Sequence, residues 1–172
     1  MTLANDHPWS KKEILANFVS ILILMIYATI ILLLKSWFSL LLYWAFWGLY
    51  FTVGRYVTCR HCDFLGRACC SWCVGIIGDK LYKRSNAKSF PEVGLWKMLL
   101  FDVSFLLLAN IHPIIIYGIS FLLNGIILID LILLSIYALL GIITLSIHDQ
   151  GCKKCPIKGC PLSRSKKKIN DL

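Results

Sequence analysis

The chain has 172 residues, of which 58% are hydrophobic and 16% are charged, and its formal net charge is +9. Soluble domains carry about 25% charged residues, so a soluble fold of this length would have too little polar surface to cover its apolar residues. The composition excludes an ordinary soluble domain and predicts an integral membrane protein. No basic motif interleaved with aromatic residues accompanies the positive charge, so we expect no nucleic-acid partner.

Four stretches of the chain are long and apolar enough to cross the hydrocarbon core of a bilayer, which takes about 20 residues. In chain order they are residues 14–34, 37–57, 96–122 and 126–147. A short Lys35-Ser36 turn joins the first two stretches, and Asn124-Gly125, a strong turn signal, joins the last two. We therefore predict an all-α integral membrane protein with four transmembrane helices arranged as two hairpins.

The predicted organisation divides the chain into five parts. These are an N-terminal segment (1–13), the first hairpin (14–57), a cysteine-rich loop (58–95), the second hairpin (96–147) and a cysteine-rich basic tail (148–172). Within the loop, residues 74–84 form an amphipathic segment suited to lying in the plane of the lipid headgroups.

The positive charges predict the orientation of the hairpins. Every Lys and Arg except Lys35 lies in or next to the N-terminal segment, the loop or the tail. Four crossings put these three parts on one side of the membrane. Because Lys and Arg accumulate on the cytoplasmic side, we expect both termini and both cysteine-rich segments in the cytoplasm. The same charges favour contact with anionic lipid headgroups as well as with the bilayer itself.

All eight cysteines fall in two clusters, and a cytoplasmic location makes structural disulfides improbable and metal binding or redox chemistry the expected use. The loop cluster contains two Cys-x2-Cys pairs and one additional cysteine, and the tail cluster contains three cysteines preceded by a histidine. The predicted ligands are Cys59, Cys62, Cys69, Cys70 and Cys73 from the loop and His148, Cys152, Cys155 and Cys160 from the tail. Either Cys69 or Cys70 serves as the ligand of the second pair, and His61 is expected to be a solvated loop histidine.

The spacing leaves the number of sites and the metal open. Two Cys-x2-Cys pairs are the pattern of a tetrahedral four-sulfur site, and the tail could complete a second site or share one composite site with the loop. Cys-Pro pairs in the tail resemble the end of the bacterial ferredoxin run, C-x2-C-x2-C-x3-C-P, although the spacing differs and one cysteine is missing. The cofactor expected is therefore an iron–sulfur cluster or Zn²⁺.

Polar residues inside the predicted spans form a second candidate site. His112 lies near mid-membrane and precedes Pro113, which interrupts helix hydrogen bonding. With Asn110 or Tyr117 it could bind a quinone or relay a proton; alternatively, it bonds to the backbone that the proline exposes. Asp102 and Asp130 are expected to be groups near the two membrane surfaces.

No conventional catalytic motif is present, so any enzymatic role would be that of a redox subunit. Four helices with Cys-x2-Cys pairs resemble quinone-linked thiol oxidases, but those keep their working cysteines at the outer face. The chain also resembles small prokaryotic membrane proteins with cytoplasmic cysteine knuckles, which implies the inner membrane. We expect a redox or electron-transfer component with a redox partner subunit or quinone. The alternatives are a zinc-stapled scaffold or regulatory protein and a protein that handles or transports soft metal ions.

Overall fold

A computed structural model describes residues 8–62, 65–67, 69, 74–83 and 99–155. Throughout these ranges the regular structure is helical and contains no strand. Within them, four helices are long and apolar enough to cross a membrane: Lys11–Leu33, Trp37–Cys59, Leu100–Asn124 and Leu128–Lys153. The prediction of an all-α, multi-pass membrane protein is confirmed at this level. Each of the four predicted stretches overlaps one of these helices, with ends that differ by up to six residues; residues 96–98 of the third stretch lie outside the described residues.

Two of the long helices contain a π-helical turn. The elements, in chain order, are α1 (Lys11–Leu33), α2 (Trp37–Leu49), the first π segment (Tyr50–Gly54), α3 (Arg55–Cys59), α4 (Val74–Leu81), the second π segment (Leu99–Val103), α5 (Ser104–Asn124) and α6 (Leu128–Lys153). The second spanning helix is thus α2, the first π segment and α3 in one continuous run, and α5 continues the second π segment.

Local sequence explains where the first two helices begin. Ser10 caps α1 in a capping box: its hydroxyl accepts from the amide of Glu13, and the Glu13 carboxylate accepts from the Ser10 amide. Ser36 caps α2 by accepting from the amide of Ser39. These caps satisfy amides that the first helical turn leaves without partners.

Glycine explains the turn between α5 and α6. α5 ends at Asn124, and Gly125 follows with a φ of +76°, a conformation that side chains bearing a Cβ rarely adopt. The predicted Asn-Gly turn is therefore present. α6 then continues to Lys153, six residues past the predicted end of the span at 147, so that His148 and Cys152 lie on a helix.

The helices pack so that α1 lies against α6 and α2 lies against α5. The core between them is rich in large aromatic side chains, and Tyr43, Trp47, Tyr50 and Tyr117 are almost completely buried. The opposite faces carry exposed Leu and Ile, for example Ile26 on α1 and Leu139 on α6. An apolar exterior around a partly polar core suits a lipid environment, which accepts side chains such as these without cost.

Side-chain hydrogen bonds to main-chain carbonyls connect α1 and α6 along their length. Tyr27 donates to the carbonyl of Leu133 (3.0 Å), and Thr144 donates to that of Ser20 (3.2 Å). Closer to the cysteines, Asn17 donates to the carbonyl of Ile147 (3.4 Å). Without a hydrophobic driving force between helices in lipid, such bonds and close packing are what hold a bundle together.

Candidate metal centre

The cysteines that the structure describes all lie at one end of the bundle, which we call the cysteine end. They are Cys59, Cys62, Cys69, Cys152 and Cys155, and all five are thiols rather than disulfides. The predicted ligands Cys70, Cys73 and Cys160 lie outside the described residues.

Helix α6 holds a histidine and a cysteine on one face at this end. His148 and Cys152 are four residues apart, which places their side chains next to each other on a helix. The distance from Cys152 Sγ to His148 Nε2 is 3.4 Å. Both residues are buried, with 9% and 6% of their surface exposed. Because α6 extends past the predicted span, this pair is fixed by helix geometry.

Both Cys-x2-Cys sequences in the described residues form the same backbone turn. The amide of Cys62 donates to the carbonyl of Cys59 (3.0 Å), and the amide of Cys155 donates to the carbonyl of Cys152 (3.1 Å). A turn of this kind lets two thiolates three positions apart reach a single ion, as in zinc sites with this spacing. The local conformation that the sequence pattern predicts is therefore present at both places.

Cysteines from the loop and from the end of α6 meet in one buried group, which we call the thiol cluster. Its members are Cys69, Cys152 and Cys155, with Cys62 packed at its edge. Trp9 closes the cluster on the side of the N-terminal segment, and its indole N–H donates to the carbonyl of Gly151 (2.8 Å). The folding of the chain thus brings together cysteines that are more than 80 residues apart in sequence.

The thiol cluster brings possible metal ligands close together, but its described residues do not have the geometry of a metal site. In the ranges that the structure describes, no three His, Cys, Asp or Glu side chains are arranged to hold one ion. The predicted ligands are therefore brought together only in part. Asp149, a poorer candidate by its chemistry, instead pairs with Lys153 one turn along α6 (2.6 Å).

A buried ion pair lies directly beside the thiols. Arg55 Nε is 3.4 Å from Asp102 Oδ1, and the two side chains are 3% and 2% exposed. The guanidinium also lies over the ring of Tyr50, 4.4 Å from its centroid. Cys59 lies close enough to Arg55 and Asp102 to interact with both electrostatically. Positive and negative charge are thus built into the protein interior at the cysteine end.

The two π segments face each other at this ion pair. A Cβ on Gly54 would lie 3.2 Å from the Cα of Asp102, so a larger residue would push the two backbones apart by a few tenths of an ångström. The hydroxyl of Tyr82, from the loop after α4, donates to the carbonyls of Phe51 and Thr52 in the first π segment. π-helical turns occur often at functional sites. Here the second π segment carries Asp102, and the first one precedes Arg55 directly and receives the hydrogen bonds from Tyr82.

Two loop residues have environments that alter their ionisation. Partial burial, together with the positive charge of Arg60, lowers the pKa of His61, which favours the neutral imidazole. Burial raises the pKa of Tyr82, as does the neighbouring Cys59. The loop around the first Cys-x2-Cys turn is thus packed on the end of the bundle, where water is partly excluded.

The mid-membrane residues do not converge on a common site. His112 Nε2 donates to the carbonyl of Ser39 on α2 (2.9 Å). Asn110 donates to the carbonyl of Leu106 in its own helix (2.7 Å), and Tyr117 donates to the carbonyl of Ile31 on α1 (3.1 Å). Each of the three side chains donates to a different part of the main chain. The carbonyl that accepts from His112 belongs to Ser39 on α2, so this bond does not satisfy the backbone that Pro113 exposes. The quinone or proton site remains a prediction.

Asp130 lies at the opposite end of the bundle and is buried. Its carboxylate pairs with Lys35 in the turn between α1 and α2, and the Lys35 ammonium also donates to Ser120 (3.3 Å). The ammonium lies 5.1 Å from the centroid of the Tyr117 ring. Within the described residues, the positive charge of Lys35 at this end is therefore neutralised by a buried carboxylate.

Two residues of the cysteine end are not evident from the sequence. Trp9 has the position of an interfacial anchor, and Arg55 has that of a flanking positive charge. The available signal for Arg55 is that it lies within an apolar span, at a depth similar to that of Asp102 in the third span, and intramembrane charges are expected to pair. For Trp9 the sequence offers no comparable signal.

These features define a four-span helical membrane protein with a buried thiol cluster and a buried ion pair at one end. No protein-family model, no curated protein and no solved structure matches this chain.

Proposed function

We propose that this protein is a polytopic membrane protein with a cysteine-ligated metal centre that serves a redox or electron-transfer role. Its two hairpins present the cysteine-rich loop and the basic, cysteine-rich tail on the cytoplasmic side of a prokaryotic inner membrane. The observation that carries the proposal is the thiol cluster, which buries Cys69, Cys152 and Cys155 together beside His148. In a reducing compartment, thiols gathered from distant parts of a chain are better suited to metal than to disulfides.

The second candidate is a zinc ion that staples the loop, the N-terminal segment and α6. The specific observation in its favour is that the thiol cluster joins these three parts, with Trp9 bonded to Gly151 over it. Structural zinc contributes folding energy to units that lack a sufficient core of their own. In this case the centre would fix the cysteine end without exchanging electrons.

Anaerobic purification followed by metal analysis and visible spectroscopy separates the candidates. Bound iron and sulfide, with broad visible absorption that bleaches on reduction with dithionite, supports the redox centre. Stoichiometric zinc in a colourless protein refutes it and supports the staple. A protein that binds neither metal when purified, and takes up neither when reconstituted, refutes both.

The cytoplasmic orientation has its own test. In a variant with all eight cysteines replaced by Ser, a single cysteine is introduced as Asn124→Cys at the opposite end of the bundle, where the residue is exposed. A membrane-impermeant maleimide should label this cysteine in intact cells. A matched variant that instead restores Cys62 should be labelled only after the cells are opened, and the reverse pattern would invert the orientation.

A further inference from the structure

We infer that the loop and α6 supply the ligands of one composite centre: His148, Cys152 and Cys155 from the end of α6, and Cys69 from the loop. This inference rests on the proposed function and names the donors of its centre. It selects one shared site over two independent ones, and it gives His148 a direct role as a ligand through Nε2.

The first half of the centre is already spaced for coordination. Zinc–sulfur bonds of about 2.3 Å and zinc–nitrogen bonds of about 2.0–2.1 Å that meet at a tetrahedral angle place the two donor atoms about 3.6 Å apart. Cys152 Sγ and His148 Nε2 are 3.4 Å apart. The pair is held at this spacing by its i, i+4 relation on α6, so an ion could bind both donors with little change in the helix.

The second half consists of the two thiols that share the buried cluster with Cys152. Cys155 follows Cys152 in a Cys-x2-Cys turn, and Cys69 from the loop belongs to the same buried cluster; Cys155 and Cys69 are 7% and 9% exposed. Since no three donors in the described residues yet stand in coordinating geometry, metal binding would draw Cys69 towards α6. The three cysteines already share one buried cluster, so metal binding would rearrange side chains within it.

The surroundings of the cluster suit thiolates only when a metal is bound. Trp9 and Ile14 cover the cluster with apolar surface, and thiolates without a cation would be costly in such a place. A bound ion supplies the missing charge. Cys59 lies close enough to Cys69 to interact with it electrostatically, but it packs in the core that includes Tyr82, beside Arg55. We therefore place it outside the composite centre, although it belongs to the first Cys-x2-Cys pair.

The donor set of three thiolates and one imidazole is compatible with either metal. Structural zinc sites use Cys₃His sets. In iron–sulfur centres, imidazole ligands in place of thiolates raise the reduction potential. The composite centre therefore leaves the choice between iron and zinc to the metal analysis described above, and makes a separate claim about which residues bind.

Metal content of single variants tests the composite centre. Cys69→Ser, His148→Ala and Cys152→Ser should each lose all of the metal that the wild-type protein binds. Cys59→Ser and His61→Ala are matched controls of the same residue types in the same region and should retain it. Two independent sites predict instead that Cys69→Ser keeps part of the metal. If the wild type binds metal and Cys69→Ser keeps part or all of it, the composite centre is refuted and the proposed function is not. If the wild type binds no metal, the proposed function and the composite centre are both refuted.

A fourth variant separates the loss of a ligand from a collapse of the fold. His148→Cys replaces the imidazole by a thiolate and should retain the metal. When the protein is loaded with Co²⁺, the visible bands of this variant should shift relative to wild type, because one nitrogen ligand has become sulfur. Retention of the metal with an unchanged cobalt spectrum shows that His148 is not a ligand and overturns the inference. Loss of the metal with the helical circular dichroism spectrum intact overturns it equally.

Discussion

Replacement of Asp102 by Asn should destabilise the protein strongly, because it leaves the positive charge of Arg55 buried without its partner. Removal of one member of a buried ion pair costs about 3–5 kcal/mol. With side chains 3% and 2% exposed, this pair belongs to that class. The contact of the guanidinium with Tyr50, at 4.4 Å, is present in both proteins and cancels from the difference. We therefore expect a loss of about 3–5 kcal/mol.

The exposed pair on α6 provides a matched control. Lys153 and Asp149 are closer together, at 2.6 Å, but their side chains are 58% and 32% exposed. Exposed i, i+4 pairs contribute about 0.3–0.5 kcal/mol, so Asp149→Asn should have an effect several times smaller than Asp102→Asn. The comparison shows whether burial or distance decides the energy of an ion pair in this protein.

Unfolding in mixed detergent–SDS micelles, followed by circular dichroism, measures the free energy of unfolding of both variants. The double variant Arg55→Met/Asp102→Leu removes both charges and should recover most of the loss, because an apolar pair of similar volume often replaces a buried ion pair without cost. The reasoning fails if Asp102→Asn is no worse than Asp149→Asn. It also fails if the double variant loses the sum of the two single effects, which would mean that the two residues are not coupled.

Three further predictions are tested by the same unfolding assay or by amide hydrogen exchange. Gly54→Ala should destabilise by about 1–3 kcal/mol because its Cβ meets the backbone of the second π segment. Gly48→Ala, with nothing within 4 Å of its Cβ, should stabilise by up to about 1 kcal/mol; equal effects of the two would contradict the close approach. Asp130→Asn should cost about 2 kcal/mol, the contribution of a hydrogen bond to a charged group, since Lys35 loses its anion. The loss should largely disappear when Lys35 is also replaced by Met. Tyr82→Phe removes the hydroxyl bonded to the first π segment and should accelerate amide exchange in α4, and an unchanged exchange rate would show that this bond does not anchor the loop.

Much of the fold follows from properties that a sequence displays directly. The spans are predictable because a helix must be apolar over about 20 residues to cross a bilayer, and that is a property of the linear chain. The turns at Ser36 and Gly125 follow from local backbone chemistry, which caps α2 in one case and permits a positive φ in the other. The predicted even number of crossings would put loop and tail on one side, and the described cysteines of both do meet in one cluster.

Other features depend on which helices touch, and the linear pattern does not reveal them. Arg55 looks like one more flanking charge until α5 and the second π segment bring Asp102 against it. The π segments lie where Gly54 allows two backbones to approach closely. A glycine in the sequence does not by itself predict such a contact. His112 bonds to a carbonyl on α2, a partner 73 positions away.

The end of α6 shows a different limit of sequence reasoning. The charged residues after Ile147 mark the point where the chain leaves the apolar part of the membrane, and they predict the end of the span there. They do not end the helix, which continues to Lys153 with Asp149 and Lys153 paired along its surface. A helix can continue after its sequence stops being apolar. His148 and Cys152 lie next to each other because α6 does continue there.

The hydrogen bonds between α1 and α6 impose an order on the synthesis of the protein. Asn17 and Tyr27 belong to the first helix, while the α6 carbonyls that accept from them are synthesised more than 100 residues later. At about 5–20 residues per second, the typical speed of synthesis, these two side chains wait several seconds or longer for those acceptors. A chain that stops before α6 therefore lacks the acceptors of the Asn17 amide and the Tyr27 hydroxyl.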